Sequence, residues 1–323
     1  MTPLPRTIAA ALLCACAVLP PCAAAAGSPG CAASARHAPG DARIQSVIDE
    51  ALRQHQLFGG QTIERNGGIF RLGHHEAEWS RPRGESTPTW ERVATFWRSL
   101  PESGEPRLMT SLGWVARSEV ARPPAGANEP ERLEVATREA LLRAAIVDTP
   151  WSAAFISYLM RTAGFSRDEF AYSDTHADYV RAALDTSTAE AEGRQSTHAF
   201  RACDSATTHP RAGDLLCATR EDTAGVASFD ALAAAIAVRA TGKDFAMHCD
   251  LVVRSDEGGD AKLDAIGGNV VQSVTLTRMT LNARKVLSEH YVTGAAPACA
   301  RRAQPCPPHL GRRPWVVLLQ FRN

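Results

Sequence analysis

One stretch constrains the fold more than any other: Asp148-Thr149-Pro150-Trp151-Ser152-Ala153-Ala154-Phe155-Ile156-Ser157-Tyr158-Leu159-Met160. Asp148 or Thr149 suits a helix cap, and Pro150 suits the first helical position, where its missing N–H costs nothing. From Trp151 onward the apolar residues 151, 155, 159 and 160 follow helical spacing, so the segment reads as a buried helix. Ser152 then falls in the first turn, where unpaired backbone N–H groups and the positive end of the helix dipole point outward. A nucleophile belongs there if the chemistry builds negative charge. The plainer reading is a small residue packed under Trp151.

Three later segments read as strands or as turns feeding strands: Arg211 to Cys217, His248 to Val253, and Ala261 to Asn269. Gly258-Gly259 suits a two-residue hairpin turn. Counting outward from it pairs Glu257 with Asp260, Leu251 with Ile266, and His248 with Asn269. Directly opposed side chains share a face, with Cβ atoms about 5 Å apart. An imidazole is therefore expected beside a carboxamide at the open end of a hairpin. The Asn oxygen can accept from one ring N–H and fix the tautomer, leaving the other nitrogen as a base. Taken singly, His248 reads as a surface histidine at a strand end and Asn269 as a turn residue. Their opposition, with a helix-start serine, favours a site.

The order Pro-Trp-nucleophile-Ala-Ala-Phe, Gly-Asp strand, His-led strand and Gly-Gly-Asn resembles the NlpC-type and CHAP-type amidases, which are papain-like. The resemblance runs over roughly residues 129–321, with Ser152 where that group carries Cys. Within it, the chain is most similar to an uncharacterised family of exported bacterial proteins (domain of unknown function 2272). The resemblance implies an α+β, papain-like fold: a helix carrying Ser152 packed on a small antiparallel sheet, its start facing the hairpin. It also implies Ser152, His248 and Asn269 as nucleophile, base and orienter. Trp151, Asp250 and Asp148 are supporting candidates. The activity implied is hydrolysis of amide bonds in cell-wall peptides. The alternative is a relative without catalysis that binds cell-wall peptide or a protein partner in the same groove. Serine is harder to activate than cysteine and needs a base whose imidazolium is steadied, usually by a carboxylate. In Ser-His-Asp proteases, replacing that carboxylate by Asn lowers turnover about 10⁴-fold. Asp250, two residues along the strand from His248, and Asp148, near the helix start, are the available carboxylates.

Composition narrows the partners. Thirty-five Lys+Arg balance 35 Asp+Glu in 323 residues, so no global field recruits nucleic acid or anionic membrane. Neither a phosphate loop nor a dinucleotide fingerprint occurs, and no cofactor or metal is expected. His74-His75-Glu76 places neighbours on opposite strand faces and reads as surface. His176-Ala177-Asp178 reads as a solvated helix face.

Residues 1–26 read as a secretory signal, with one charge at Arg6, an apolar run from Ile8 to Leu19 and Ala24-Ala25-Ala26 for cleavage. A lipoprotein site at Cys16 is the weaker reading, because the apolar run before it is short. A periplasmic or secreted protein follows, with no transmembrane segment expected. Six Cys then remain: Cys31, Cys203, Cys217, Cys249, Cys299 and Cys306. An even number in an exported chain favours disulfides. A Cys299–Cys306 bridge across a short Pro-containing loop is expected, with Cys217–Cys249, on neighbouring strands, as the rival pair.

Residues 27–40 read as a disordered linker, 41–125 as a mainly helical N-terminal extension and 126–323 as the papain-like domain. Within the extension, helices are expected over Asp41 to Leu57 and Thr87 to Leu100, and a short strand over residues 68–73. Leu108 to Val120 has mixed periodicity. A long helix is expected from Glu129 to Val147, further helices over Tyr172 to Leu184 and Phe229 to Val238, an irregular polar stretch from Thr186 to Thr208, and a terminal strand from Trp315 to Phe321.

Overall fold

The computed structural model describes residues 29–35, 38–82, 84–100, 123–239, 245–293 and 308–322. Its organising element is a mixed sheet of eight strands. In chain order these are β1 (Thr62–Ile63), β2 (Ile69–Arg71), β3 (Phe200–Asp204), β4 (Leu215–Thr219), β5 (Met247–Ser255), β6 (Lys262–Val270), β7 (Ser273–Thr280) and β8 (Trp315–Phe321). Their spatial order is β2-β1-β7-β6-β5-β4-β8-β3. Every neighbouring pair is antiparallel except β1 with β7. The α+β class is as expected, but the sheet is neither small nor purely antiparallel. The chain before residue 126 adds two strands to it, and β3 and β7 enlarge it further.

The helices are α1 (Pro29–Ser34), α2 (Ala42–Leu57), α3 (Thr89–Arg98), α4 (Glu129–Asp148), α5 (Ser152–Thr162), α6 (His176–Ala191) and α7 (Phe229–Ala237). Asp41 caps α2 by accepting from the Arg43 N–H, as the sequence suggests. Asn128 and Glu131 form a reciprocal capping box at the start of α4. One apolar cluster joins α2 and α3 to α5 and the sheet, through Ile44, Val47, Phe96, Trp97, Trp151, Phe155, Leu251 and Ile266. Helices α2 and α3 therefore bury their apolar stripes in the same core as α5 and the sheet.

Local differences from the sequence reading have local causes. Helix α5 starts at Ser152, not Pro150, and neither Asp148 nor Thr149 caps it. Asp148 is the exposed last residue of α4, and Trp151 occupies the cap position. Only the C-terminal half of α4 is buried, at Leu142, Ala145 and Ile146, while Leu133 and Leu141 face outward. The stretch read as irregular, Thr186 to Thr208, contains the end of α6 and all of β3. There Arg201 and Cys203 look polar in sequence but are buried, Arg201 beside Glu190 and Cys203 in a disulfide.

Two disulfides are present among the described residues, Cys31–Cys203 and Cys217–Cys249. The second joins residues directly opposed across β4 and β5. The first ties α1 to β3, so part of the stretch read as a linker is helical and anchored. Cys299, Cys306, the signal segment with Cys16, and Leu108 to Val120 lie outside the described residues. No described helix is long and apolar enough to cross a membrane.

Candidate active site

Ser152 is the first residue of α5, 4 % exposed, and its side chain sits at the positive end of the helix dipole. The helix reaches the sheet closely because β6 offers Gly268. A Cβ there would lie 2.6 Å from Cβ of Phe155. Tyr179 of α6 fixes the other flank, its hydroxyl lying 2.6 Å from the Ala153 carbonyl and 2.6 Å from Ser157 Oγ. This docking brings the first residue of α6, His176, onto Ser152: Nε2 to Oγ is 2.9 Å.

His176 is 2 % exposed and not on a solvated face. Its Nδ1 is buried with no hydrogen-bond partner among the described residues. Burial holds the imidazole well below its usual pKa, and the nearby His248, Arg220 and Arg313 add to the effect. The ring is neutral at pH 7. A buried N–H without an acceptor costs about 1–3 kcal/mol, so the tautomer that suits the resting state carries its proton on Nε2 and donates to Ser152 Oγ. Accepting the serine proton requires the opposite tautomer and an acceptor for Nδ1–H.

His248, at the start of β5, packs edge-to-face on His176 with ring centroids 5.3 Å apart. Its hydrogen-bond partner is Asp250, with Nε2 to Oδ1 at 2.6 Å. The two share a strand face because strand side chains alternate. Gly267 makes room for them: a Cβ there would lie 1.9 Å from Asp250 Oδ1 and 2.9 Å from His248 Nε2. Arg313, ahead of β8, reaches the second carboxylate oxygen at 3.4 Å. Burial pushes the Asp250 carboxyl up, but His248 and Arg313 more than offset it and hold it below the usual range. Burial also lowers His248, against the pull of Asp250, so the pair at neutral pH is an ionised Asp250 and a neutral His248 that donates from Nε2.

The hairpin between β5 and β6 pairs Leu251 with Ile266, as counted from the sequence. The turn is wider than two residues, and a bulge between Val252 and Arg254 restores the register. Beyond Ile266 a second irregularity, between Gly267 and Val270, turns Asn269 into a left-handed conformation at φ 56°. Its carboxamide does not orient His248. In the orientation that satisfies both neighbours, its oxygen accepts from the Trp151 backbone N–H at 3.2 Å and its nitrogen donates to Glu76 Oε2 at 3.1 Å. The Trp151 indole also donates to that Glu76 oxygen, at 3.2 Å. Asn269 and Glu76 thus pin the residue preceding Ser152. Glu76 is 3 % exposed, and burial raises its pKa against the indole hydrogen bond. The sequence reading placed it on the surface.

The expected residues therefore meet in pairs other than those expected. Ser152 touches His176, His248 touches Asp250, and Asn269 and Trp151 meet at the helix start. Asp148 takes no part in these contacts. No group of three or more His, Cys, Asp or Glu able to hold a metal occurs among the described residues. A family model described as an uncharacterised protein conserved in bacteria, DUF2272, matches residues 84–321. The chain belongs to the DUF2272 family. No curated protein and no solved structure matches this DUF2272 chain.

Proposed function

We propose that this DUF2272 protein is an envelope hydrolase that cleaves amide bonds by acyl transfer through Ser152. The observation that carries the reading is the 2.9 Å contact of Ser152 Oγ with His176 Nε2 at a helix N-terminus. A hydroxyl within hydrogen-bond reach of an imidazole is the minimal nucleophile–base pair, and the outward N–H groups of the first helical turn suit a developing oxyanion. In this reading His176 first shifts its own proton to Nδ1, and the freed Nε2 then takes the hydroxyl proton as Ser152 attacks the acyl carbon. The His176 proton then passes to the leaving amine, and a water deprotonated by His176 cleaves the acyl-Ser152 ester, releasing the acid and returning the proton to Ser152. His248, oriented by Asp250, stands against the His176 ring and supplies the polar wall facing the imidazolium. The papain-like relation, peptidoglycan peptides as substrate and export to the periplasm or medium belong to the same proposal. The two disulfides support the oxidising compartment.

A second reading is favoured by one specific observation. The base-ready tautomer of His176 has no acceptor for Nδ1–H among the described residues, which suits a site that binds peptide without turning it over. The deciding experiment is an assay of cell-wall peptides and an activated ester with wild type and Ser152→Ala. Turnover in wild type that disappears in the variant supports hydrolysis. Binding of peptide by both proteins with turnover by neither supports the second reading.

A further inference from the structure

We propose that the cleft at the β2 edge of the sheet is a second binding site, for a short peptide that presents a carboxylate beside an apolar side chain. It goes beyond the hydrolase reading and shares no residue with the Ser152 site. The cleft has a volume of about 420 Å³ and is lined by His55, Gly60, Phe70, Arg71, Leu276 and Arg278 among others. That volume lies within the range of small-ligand sites.

Three features define the occupant. First, the cleft has cationic walls. Arg71, exposed on β2, has no acidic partner among the described residues, and Arg278 on β7 is shared with Glu64 at 2.8 Å. No Asp or Glu among the described residues lines the cleft. His55 uses Nε2 to donate to the Gln61 carbonyl at 2.9 Å. Burial keeps its imidazole below the usual range, and the two guanidiniums work in the same direction. His55 is then a neutral wall rather than a third cation. Second, an apolar platform adjoins the charge. Phe70 is 78 % exposed and Leu72 is 68 % exposed, and Leu276 forms part of the floor. Of these, Phe70 and Leu276 line the cleft itself and offer an apolar contact beside the guanidiniums. Third, β2 is the last strand of the sheet, with no strand paired to its outer flank among the described residues, which is the setting in which extended peptides add to an edge. An unpaired planar guanidinium favours bidentate carboxylate recognition. Charge and apolar surface together therefore select an acidic, partly apolar peptide over a bare anion.

The carboxylate can come from an acidic side chain or from a peptide C-terminus, and the test separates them. Titration calorimetry would use the mature protein with acetyl-Glu-Leu-amide, acetyl-Leu-Leu with a free C-terminus, acetyl-Gln-Leu-amide and inorganic phosphate. At least one of the two acidic peptides is expected to bind at least tenfold more tightly than the Gln peptide, and the tighter of the two identifies the source. Arg71→Gln, at an exposed position, is expected to weaken that binding at least fivefold with an unchanged melting temperature. Phe70→Ser should weaken it through the apolar contact alone. Ser152→Ala should bind as wild type does, whether or not the protein is a hydrolase. Equal binding of the Gln peptide, indifference to both Arg71→Gln and Phe70→Ser, phosphate binding as tight as the peptides, or no binding of either acidic peptide would overturn the proposal.

Discussion

Nε2 of His248 lies 2.6 Å from Oδ1 of Asp250, and the second carboxylate oxygen faces Arg313 at 3.4 Å. The carboxylate is fully buried, so its charge is tolerable only because the guanidinium and the imidazole N–H compensate it.

Asp250→Asn leaves Arg313 facing a neutral amide. The expected loss is about 3–5 kcal/mol at pH 7, the usual consequence of breaking a buried pair from one side. The folded carboxyl titrates below its unfolded value, so its contribution is fully present above the unfolded pKa near ~4 and disappears as pH falls through the folded value. Urea denaturation of wild type and variant at pH 7 and near pH 3 checks this. A stability gap that does not shrink on acidification would count against the assignment.

His176 gives a pH effect of distinct position. Its folded pKa is depressed by burial and by His248, Arg220 and Arg313, so the unfolded chain binds the proton more readily. The neutral ring therefore stabilises the fold fully above about pH 6.5, and that benefit is lost as pH falls, at about 1.4 kcal/mol per unit of depression. His176→Gln removes the group. Melting temperatures measured from pH 5 to 8 should fall more steeply toward acid in wild type than in the variant. Parallel curves would show that His176 is not a buried neutral imidazole.

Much of this was legible in the sequence because it rests on local signals. The terminal strand, the capped helix after Asp41 and the Leu251–Ile266 register follow from periodicity, cap chemistry and a turn count. The hairpin count succeeded by compensation: the turn is wider than assumed, and a bulge returns the register before Leu251. It stops holding beyond Gly267, where an irregularity of β6 against β7 gives Asn269 a left-handed backbone and its carboxamide bonds Trp151 and Glu76. Asp250 was visible from the two-residue strand period. His176 and Glu76 were not, because a polar residue at a helix start or in a loop looks solvated until tertiary packing buries it. Ser173, Thr175 and Tyr179 beside His176 gave no period that pointed at Ser152. The one usable signal was that helix start itself, a second first-turn position within reach of a short side chain.

Gly267 and Gly268 test the two close approaches separately. Gly267→Ala puts a methyl 1.9 Å from Asp250 Oδ1, so the His248–Asp250 pair must move. Gly268→Ala meets Cβ of Phe155 at 2.6 Å and pushes α5 off the sheet. Each should cost about 1–3 kcal/mol or more, as overpacking does. Gly225→Ala, with open space around the added methyl, serves as the control and should be near neutral. If Gly267→Ala melts with Gly225→Ala, the close packing of that pair is wrong.

Whether Ser152 works as a nucleophile or is the remnant of a cysteine site depends on what its surroundings can activate. A cysteine thiolate needs a nearby cation or a helix N-terminus to lower its pKa. Here the helix end is present, but burial lowers His176 and leaves the imidazole that touches Ser152 neutral at pH 7. A thiol placed there gains from the dipole and loses from burial. Ser152→Cys is therefore expected to lack the strongly lowered pKa of a cysteine nucleophile and to gain little activity. Ser152→Ala is expected to lose several powers of ten in turnover of a cell-wall peptide or activated ester, with the fold intact because the side chain is small. Iodoacetamide alkylation of Ser152→Cys against pH reads the thiol, and the two assays read the chemistry. A strongly acidic thiol together with high activity in Ser152→Cys would identify a site built for sulfur. Wild-type turnover that survives Ser152→Ala unchanged would remove Ser152 from the reaction altogether.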